Sequence, residues 1–195
     1  MPFDDWMTNP SVINMADKML GGIDFDPASN WVAQQYVRAN TFCVTPTEYA
    51  AMRPNWHGNV KRDGLWETWS GNVWLNPPYS AGNIDRFTDK ALIEWKLNHP
   101  TQMIVLVNSA TDAKWYHKLL KASSCTLFWK GRIKFWKIFD GKAHEKWEGQ
   151  KSKEKGIGKI GNSPRYLNTL FYFGDNVDRF HHIFDGKGTF MERSK

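Results

Sequence analysis

The feature that most constrains the fold is a continuous apolar run, Met103 to Val107, near the middle of the chain. An uninterrupted run of this kind is typical of a strand buried on both faces, as strands of parallel sheets are. Predicted strands and helices alternate over the first two-thirds of the chain, which favours an open α/β sheet. Toward the C-terminus the predicted strands follow one another without predicted helices. We therefore predict a mostly parallel sheet with an antiparallel C-terminal strand.

Local patterns predict the individual elements. Apolar periodicity predicts helices at about 11–20, 84–97 and 111–121. Short apolar runs bounded by turn residues predict strands at about 23–26, 41–44, 71–75, 103–107, 125–129, 133–139 and 167–173. Residues 45–70 are predicted to be irregular because prolines and a glycine interrupt them. The chain of 195 residues suits a single domain, 1–195, with a Lys- and Gly-rich loop or insertion at about 140–164.

The charge balance is compatible with a nucleic-acid partner. Lys plus Arg number 26 against 20 acidic residues, which gives a net charge of +6 and a pI of about 9.3. A basic protein favours polyanions because neutralised phosphates release their counterions. The 11 Trp residues are spread from Trp6 to Trp147, and this spread favours packing in the core over a single stacking platform.

Metal, disulfide and membrane functions find little support in the sequence. Cys43 and Cys125 lack a CxxC spacing, so we predict buried free thiols. The six His residues form no metal-ligand pattern, and we expect no metal. No apolar run approaches the ~20 residues that cross a bilayer. We expect no membrane association and a cytoplasmic protein.

The motif with the clearest chemistry is Asn76-Pro77-Pro78-Tyr79, which directly follows a predicted strand. Each proline fixes its own φ and restricts the residue before it, so the backbone of the motif is rigid. The side-chain oxygen of Asn76 and a neighbouring backbone carbonyl can act as acceptors, and Tyr79 offers a ring face. A simple turn after a strand is the alternative interpretation.

This arrangement suits the exocyclic amino group of a nucleobase. Such an amine is a poor nucleophile because its lone pair is conjugated with the ring. Two acceptors on its hydrogens would return electron density to the nitrogen as it attacks an electrophilic methyl group. The motif therefore predicts a catalytic loop for amino methylation.

Further short motifs surround this loop in a familiar order. They are Thr8-Asn9-Pro10, Asp24-Phe25-Asp26-Pro27-Ala28-Ser29, Asp63-Gly64-Leu65, Thr111-Asp112-Ala113-Lys114-Trp115, Gly131-Arg132-Ile133-Lys134-Phe135 and Ser163-Pro164. Together with the catalytic motif they resemble the phage-type DNA N-6-adenine methyltransferase family, which is related to Dam-like enzymes. The resemblance extends from Thr8 to about Phe173.

The resemblance implies a Rossmann-like methyltransferase that uses S-adenosylmethionine. Asp26, with Pro27 and Ala28, matches the family's cofactor motif at the carboxyl end of the first strand, where open α/β sheets bind ligands. The Asp26 carboxylate would accept hydrogen bonds from either the methionyl ammonium or the ribose. A helix N-cap is the alternative role for this residue. The turn lacks the glycine-rich sequence that many methyltransferases place there.

Three more residues are implied in cofactor binding. Thr8 and Pro10 match the N-terminal segment that closes over the cofactor, although they also suit a cap and the first turn of a helix. Asp63 matches an acidic position that helps to hold the target amine or the cofactor. A plain turn residue before Gly64 is the alternative role for Asp63.

The resemblance also implies double-stranded DNA as the substrate, methylated on the 6-amino group of adenine. The base has to leave the duplex, at a cost on the order of a few kcal/mol. Tyr79 would stack on the flipped adenine, while Asn76 and the Pro77 carbonyl would accept from its amine. The family further suggests protection of phage DNA from host restriction, in the host cytoplasm.

Basic residues near the C-terminal third are candidates for phosphate contacts. They are Arg132, Lys134, Lys151 and Lys153. The last two belong to the Lys- and Gly-rich segment, for which a solvated surface loop is the alternative.

Other substrates remain open at this stage. Asn-Pro-Pro-Tyr also occurs in enzymes that methylate protein glutamine, RNA bases or cytosine amines, all of which present a planar conjugated nitrogen. A non-catalytic nucleic-acid-binding module is a further alternative. The Asp63-Gly64-Leu65 motif, the basic balance and the extent of the resemblance favour adenine in DNA.

Overall fold

The computed structural model describes residues 6–51, 59–80, 82–139, 142–144 and 166–193. Its helices are α1 (Pro10–Leu20), α2 (Gln34–Val37), α3 (Pro46–Ala50), α4 (Asn83–Lys96), α5 (Lys114–Ala122) and α6 (Val177–Ile183). Its strands are β1 (Trp6–Met7), β2 (Phe25–Asp26), β3 (Thr41–Cys43), β4 (Asn59–Lys61), β5 (Gly71–Leu75), β6 (Pro100–Asn108), β7 (Cys125–Trp129), β8 (Trp136–Phe139), β9 (Lys142–His144), β10 (Asn168–Phe173) and β11 (Gly188–Glu192).

An eight-stranded sheet organises the described residues, in the order β11-β7-β10-β6-β5-β2-β3-β4. The strands from β6 to β4 in this order are parallel to their neighbours. β10 lies antiparallel between β6 and β7, and β11 pairs antiparallel with β7 at the edge. The predicted α/β, Rossmann-like fold is confirmed. In this sheet β3 and β4 lie on one side of β2, whereas β5 and β6 lie on its other side. The strand order therefore reverses between β2 and β5, and open sheets bind ligands at such a switch point.

The run Met103–Val107 forms the centre of β6, as predicted. Met103 and Val105 belong to the hydrophobic cluster that includes α4 and α5, whereas Ile104 and Leu106 belong to the cluster that includes α1 and α6. All of these side chains are fully buried. Because successive side chains of a strand point to opposite faces, an apolar residue at every position supports helices on both sides of the sheet.

The prediction that residues 45–70 are irregular was wrong, because this stretch contains α3 and β4. Thr45 caps α3 and forms a capping box with Glu48, and Pro46 occupies the first turn. Proline is well tolerated at that position since its missing N–H would have no helical partner. β4 has only three residues and an exposed Asn59, so it lacks the apolar pattern that reveals a buried strand.

The structure also contains a helix and a strand beyond the last predicted strand. α6 lies between β10 and β11, and neither α6 nor β11 was predicted. In α6 only Phe180 is buried, which leaves little apolar periodicity to detect. Phe180 stacks on Tyr172 of β10 with ring centroids 5.0 Å apart. Contacts made across the sheet therefore position a helix that the local sequence marks weakly.

The predicted strand at 133–139 is shorter in the structure. Ile133 precedes β8, is buried, and donates its backbone N–H to Oδ1 of Asn168 over 3.3 Å. The apolar residues Ile133 and Phe135 imitate a strand pattern, but the backbone there pairs with a side chain. β8 joins β1 and β9 in a separate three-stranded sheet. Of the predicted loop at 140–164, only β9 lies within the described residues.

Cysteine and tryptophan burial follow the predictions in most places. Cys43 and Cys125 are free and buried. Trp69 and Trp74 are buried in the core, whereas Trp66 is 84% exposed. Within the described ranges, no helix has the length and apolar character that a membrane span requires.

Candidate active site

A cavity of about 850 Å³ opens at the carboxyl ends of the parallel strands. Its walls include the turns that follow four neighbouring strands, β2, β3, β4 and β5. Asp26 is the last residue of β2, and Thr45, Asp63 and Asn76 come from the turns after β3, β4 and β5 respectively. The volume lies within the range of small-molecule sites, about 300–1,000 Å³. The sheet thus gathers polar residues that are far apart in sequence.

The Asn76 amide is held from two sides. Its Nδ2 donates a hydrogen bond to Oγ1 of Thr8 over 3.1 Å, and its Oδ1 accepts one from the Tyr79 hydroxyl over 3.0 Å. The Tyr79 hydroxyl also lies 3.3 Å from the carbonyl oxygen of Leu106 in β6. An amide oxygen has two lone pairs, so Oδ1 retains one for a ligand. Asn76 is therefore an oriented acceptor in the wall of the cavity.

The Tyr79 hydroxyl stays protonated and can therefore act as a hydrogen-bond donor. Burial raises the pKa of Tyr79 well above its usual value, because the charged phenolate would lose its hydration. The hydroxyl consequently keeps its proton across the physiological range. Pro77 is buried, and Pro78 and Tyr79 are half-buried, so the motif offers part of its surface to the cavity.

Asp26 is a buried carboxyl group, only 3% exposed. Its Oδ2 accepts from Nε2 of Gln34 over 2.7 Å, and its Oδ1 accepts from the Ala28 N–H over 3.3 Å. Burial raises the pKa of Asp26 to about 7, although hydrogen bonds from Ser29, Ala28 and Gln34 act in the opposite direction. Asp26 is thus poised between its neutral and charged forms.

Asp26 does not cap a helix, contrary to the alternative considered from the sequence. Its hydrogen bond to Ala28 closes a turn two residues along the chain, and that turn is not helical. In the turn before α2, Oδ1 of Asn30 accepts from the N–H groups of Val32 and Ala33. The carboxylate of Asp26 instead lines the cavity.

The Asp63-Gly64-Leu65 turn packs directly against the turn after β2. A side chain at Gly64 would place its Cβ 1.9 Å from the Pro27 carbonyl oxygen, so only glycine permits this approach. The Gly64 carbonyl accepts from Nε1 of Trp69 over 2.7 Å, and Oδ1 of Asp63 accepts from the Leu65 N–H over 3.0 Å. Asp63 and Asp26 consequently share one region of the cavity wall.

Thr8 and Pro10 occupy different positions. Thr8 is 3% exposed, lines the cavity and contacts Asn76. Asn9 is the N-cap of α1, and Pro10 is its first residue. Among the described residues that line the cavity, Pro10 does not appear. The structure therefore brings Thr8 to the site and places Pro10 at the start of the helix.

The structure describes two of the four residues that the sequence predicts to contact DNA. Arg132 and Lys134 are exposed in the segment before β8. Phe135, next to Lys134, lines the cavity, so this basic segment lies beside it. Lys151 and Lys153 lie outside the described residues.

Several cavity residues were not selected from the sequence. They include Trp31, Glu48, Asn83, Arg86 and Phe135. Asn83 and Arg86 stand in the first turn of α4, directly after the catalytic motif, and this proximity in sequence could have revealed them. Glu48 was hidden because its region was predicted to be irregular. Across the described part of the chain, no cluster of three or more His, Cys, Asp or Glu could hold a metal ion.

Comparison with known proteins assigns the family. No curated protein matches the sequence. The family model described as DNA N-6-adenine-methyltransferase (Dam) matches residues 3–157, which is most of the chain and includes the turns around Asp26, Asp63 and Asn76. This match favours adenine in DNA over the glutamine, RNA, cytosine and non-catalytic alternatives. The chain belongs to the DNA N-6-adenine-methyltransferase (Dam) family and is a DNA adenine methyltransferase.

Proposed function

We propose that the protein transfers a methyl group from S-adenosylmethionine to the 6-amino group of an adenine that has left the DNA duplex. When bound, S-adenosylmethionine supplies an electrophilic methyl group on a cationic sulfonium. One observation carries the proposal: the oriented acceptor Asn76 and the buried carboxyl group of Asp26 line the same cavity at the switch point of the sheet.

The residues of the cavity suit a cationic cofactor. A buried carboxylate is unfavourable until a positive group lies beside it, and the raised pKa of Asp26 expresses this penalty. The methionyl ammonium is such a group, so we favour it over the ribose as the partner of Asp26. Asp63 would then accept hydrogen bonds from another part of the cofactor. Pro27, Ala28 and Thr8 would complete the wall, with Pro10 holding Thr8 in place through the start of α1.

The catalytic motif would hold the adenine. The remaining lone pair of Asn76 Oδ1 and the Pro77 carbonyl would accept from the amino hydrogens and aim the nitrogen at the cofactor. The half-buried ring of Tyr79 would stack on the base, while Pro78 keeps the backbone rigid. Phe135 lines the same cavity and adds a second aromatic surface. Stacking and hydrogen bonds of this kind would offset the cost of extracting the base.

Basic side chains beside the cavity would contact the DNA backbone. Arg132 and Lys134 are exposed, and Arg86 both lines the cavity and is exposed. Lys151 and Lys153 join this proposal on the basis of sequence alone. In the cell, the resemblance to phage-type enzymes suggests that methylation protects phage DNA from restriction in the host cytoplasm.

Methyl transfer can be tested with duplex DNA and methyl-labelled S-adenosylmethionine. After incubation, the DNA is hydrolysed and its nucleosides are separated. We expect the label in N6-methyl-2′-deoxyadenosine, and label in deoxycytidine, in the protein or nowhere would contradict the proposal. Sequencing of the methylated DNA then identifies the target adenine.

Base flipping needs a separate measurement. With the target known, a duplex that carries a mismatch opposite this adenine should bind more tightly than the matched duplex, because unpairing then costs less. Equal binding of the two duplexes would argue against extraction of the base. A mismatch placed one helical turn away serves as the control.

A further inference from the structure

A second, smaller cavity of about 250 Å³ lies beside the first and shares Tyr79 with it. The residues of this cavity that matter here are Tyr79, Asn108, Ser109, Asp112, Trp115 and Tyr166. Neither the family match nor the methyl-transfer chemistry assigns a role to this space. Its walls combine three aromatic rings with hydrogen-bonding side chains.

The sheet places this second cavity on the substrate-facing edge. Asn108 ends β6, the strand next to β5, and pairs with Asn168 at the start of the antiparallel β10. Neighbouring strands lie about 4.8 Å apart, so the end of β6 is close to the catalytic motif that follows β5. Tyr166 precedes β10 at the same edge. The second cavity therefore lies beside the proposed position of the target adenine at Asn76.

The chemistry of the lining favours a nucleobase over a phosphate. Asp112 is exposed, and within the described part of the chain its carboxylate has no hydrogen bond or ion pair. A carboxylate repels phosphates but accepts hydrogen bonds from the amino groups of cytosine and adenine. Tyr166 is 56% exposed, and Trp115 lines the cavity beneath the surface. Exposed aromatic side chains of this kind stack on bases that have left regular stacking.

We propose that this small cavity is a subsite for the base adjacent to the target adenine, and that it selects a base with an exocyclic amino group. Asp112 accepts from that amino group, and the ring of Tyr166 stacks on the base. The adjacent base is joined to the target nucleotide by a single phosphodiester, and Tyr79 lines both cavities, so neighbouring bases of one strand can occupy them. The inference rests on the proposed placement of the target adenine at Asn76.

The test compares sequence preferences rather than total activity. Duplexes with every base at the positions flanking the target adenine are methylated by the wild type and by Asp112→Asn, and kcat/KM is measured for each. The wild type should prefer cytosine or adenine at one flanking position. Asp112→Asn should reduce that preference by roughly tenfold or more, because an amide can also donate to keto bases. Unchanged preferences in Asp112→Asn would overturn the subsite.

Two further variants separate recognition from folding. Tyr166→Ala should raise KM for DNA by roughly tenfold, whereas Tyr166→Phe should retain the wild-type value because stacking needs only the ring. Equal values for the two variants would overturn the stacking role. Asp178→Asn and Leu97→Ala are controls that change exposed residues at the end of the sheet opposite the two cavities. Both variants should leave KM for DNA and the sequence preference unaltered.

The same experiment distinguishes failure of the subsite from failure of the proposed function. If the wild type methylates adenine, Asn76→Ala is inactive and Asp112→Asn keeps the wild-type preference, only the subsite is wrong. If the wild type places no label in adenine, both the proposed function and the subsite are wrong.

Discussion

The hydroxyl of Tyr79 donates a hydrogen bond to Oδ1 of Asn76 over 3.0 Å, so the two side chains to which we assign roles in methyl transfer are directly linked. The same hydroxyl lies 3.3 Å from the Leu106 carbonyl, and the Asn76 amide donates to Thr8. The orientation of the Asn76 acceptor thus depends on β6 and on the N-terminal segment. Both contacts connect the motif to elements distant in sequence.

Replacing Asn76 by Ala should abolish methylation while the cofactor still binds. In the proposed mechanism the amide stabilises charge that develops on the adenine nitrogen, and losing such a group lowers kcat by about a hundredfold or more. Cofactor affinity, measured by calorimetry, should stay within about threefold of the wild type because the Asp26 region is untouched. Asn40→Ala removes an exposed amide at the opposite edge and should be fully active. Turnover retained in Asn76→Ala would contradict the assigned role.

Tyr79→Phe should impair turnover more than DNA binding. The variant keeps the ring but leaves Asn76 Oδ1 without its donor, a loss of roughly 1–2 kcal/mol that corresponds to a roughly five- to thirtyfold lower kcat. Tyr79→Ala should lower kcat further and also raise KM for DNA, since the stacking surface is gone. Steady-state kinetics on both variants separate the two effects, and Tyr49→Phe is the control.

An unchanged kcat in Tyr79→Phe would show that the ring alone supports catalysis. If kcat falls and KM for DNA rises by the same factors in Tyr79→Phe and Tyr79→Ala, the hydroxyl is essential and stacking contributes little.

Cofactor affinity should rise with pH through the pKa of Asp26. In the free protein the pKa of Asp26 is raised to about 7, so the carboxyl group carries its proton at lower pH and must release it to pair with an ammonium. Affinity measured by calorimetry should increase about tenfold from about pH 6 to about pH 8 and then level off. Asp26→Asn should bind more weakly and lose this pH dependence. A flat profile in the wild type would favour the ribose as the partner of Asp26.

The same carboxyl group should make the free protein less stable as pH rises. Asp26 binds its proton more tightly in the folded than in the unfolded chain, because burial raises its pKa from 3.8 to about 7. Its contribution to the free energy of unfolding is therefore present below the lower value and is lost as the pH rises toward the higher one. Denaturant unfolding of the wild type and Asp26→Asn across this window isolates the contribution. Parallel profiles for the two proteins would contradict it.

Gly64→Ala should damage the cofactor cavity. The added Cβ would lie 1.9 Å from the Pro27 carbonyl oxygen, so the two turns must separate, at a cost of about 1–3 kcal/mol in the free energy of unfolding. Cofactor affinity should fall as well, because Asp26 and Asp63 shift apart. Gly21→Ala adds a methyl group in open space at a φ of +75° and should cost about 1 kcal/mol without affecting the cofactor. Equal cofactor affinity in the two variants would show that the turns can move freely.

Neutralising Arg132 and Lys134 should weaken the salt dependence of DNA binding. Each lost phosphate contact lowers the slope of log K against log salt concentration by about 1. The double variant Arg132→Gln/Lys134→Gln is compared with the control Lys96→Gln/Lys121→Gln. The two control side chains are exposed in the C-terminal turns of α4 and α5. Fluorescence anisotropy at several salt concentrations gives the slopes. Identical slopes for both double variants would exclude the segment before β8 from the interface.

Much of the fold could be predicted from local patterns. The run Met103–Val107 is apolar at every position, and only a strand covered on both faces accommodates such a run. Asn76-Pro77-Pro78-Tyr79 likewise has few backbone alternatives, so its rigidity was predictable. Patterns failed where burial is small or the signal is ambiguous. Pro46 was interpreted as a breaker although it starts α3, and β4 is too short and polar to stand out.

The sequence by itself determined the fold class, the motif chemistry and some of the polar residues that reach the cavity, among them Asp26, Asp63 and Asn76. Only the tertiary structure decided which of them meet. Thr8 contacts Asn76 across 68 positions of sequence because the segment after β1 lies against the carboxyl end of β5. It also decided that the pKa of Asp26 is raised to about 7, since this pKa depends on burial by residues elsewhere in the chain. Local patterns indicate strands and helices. The distances between side chains and the loss of hydration on burial instead depend on how the strands are arranged in the folded sheet.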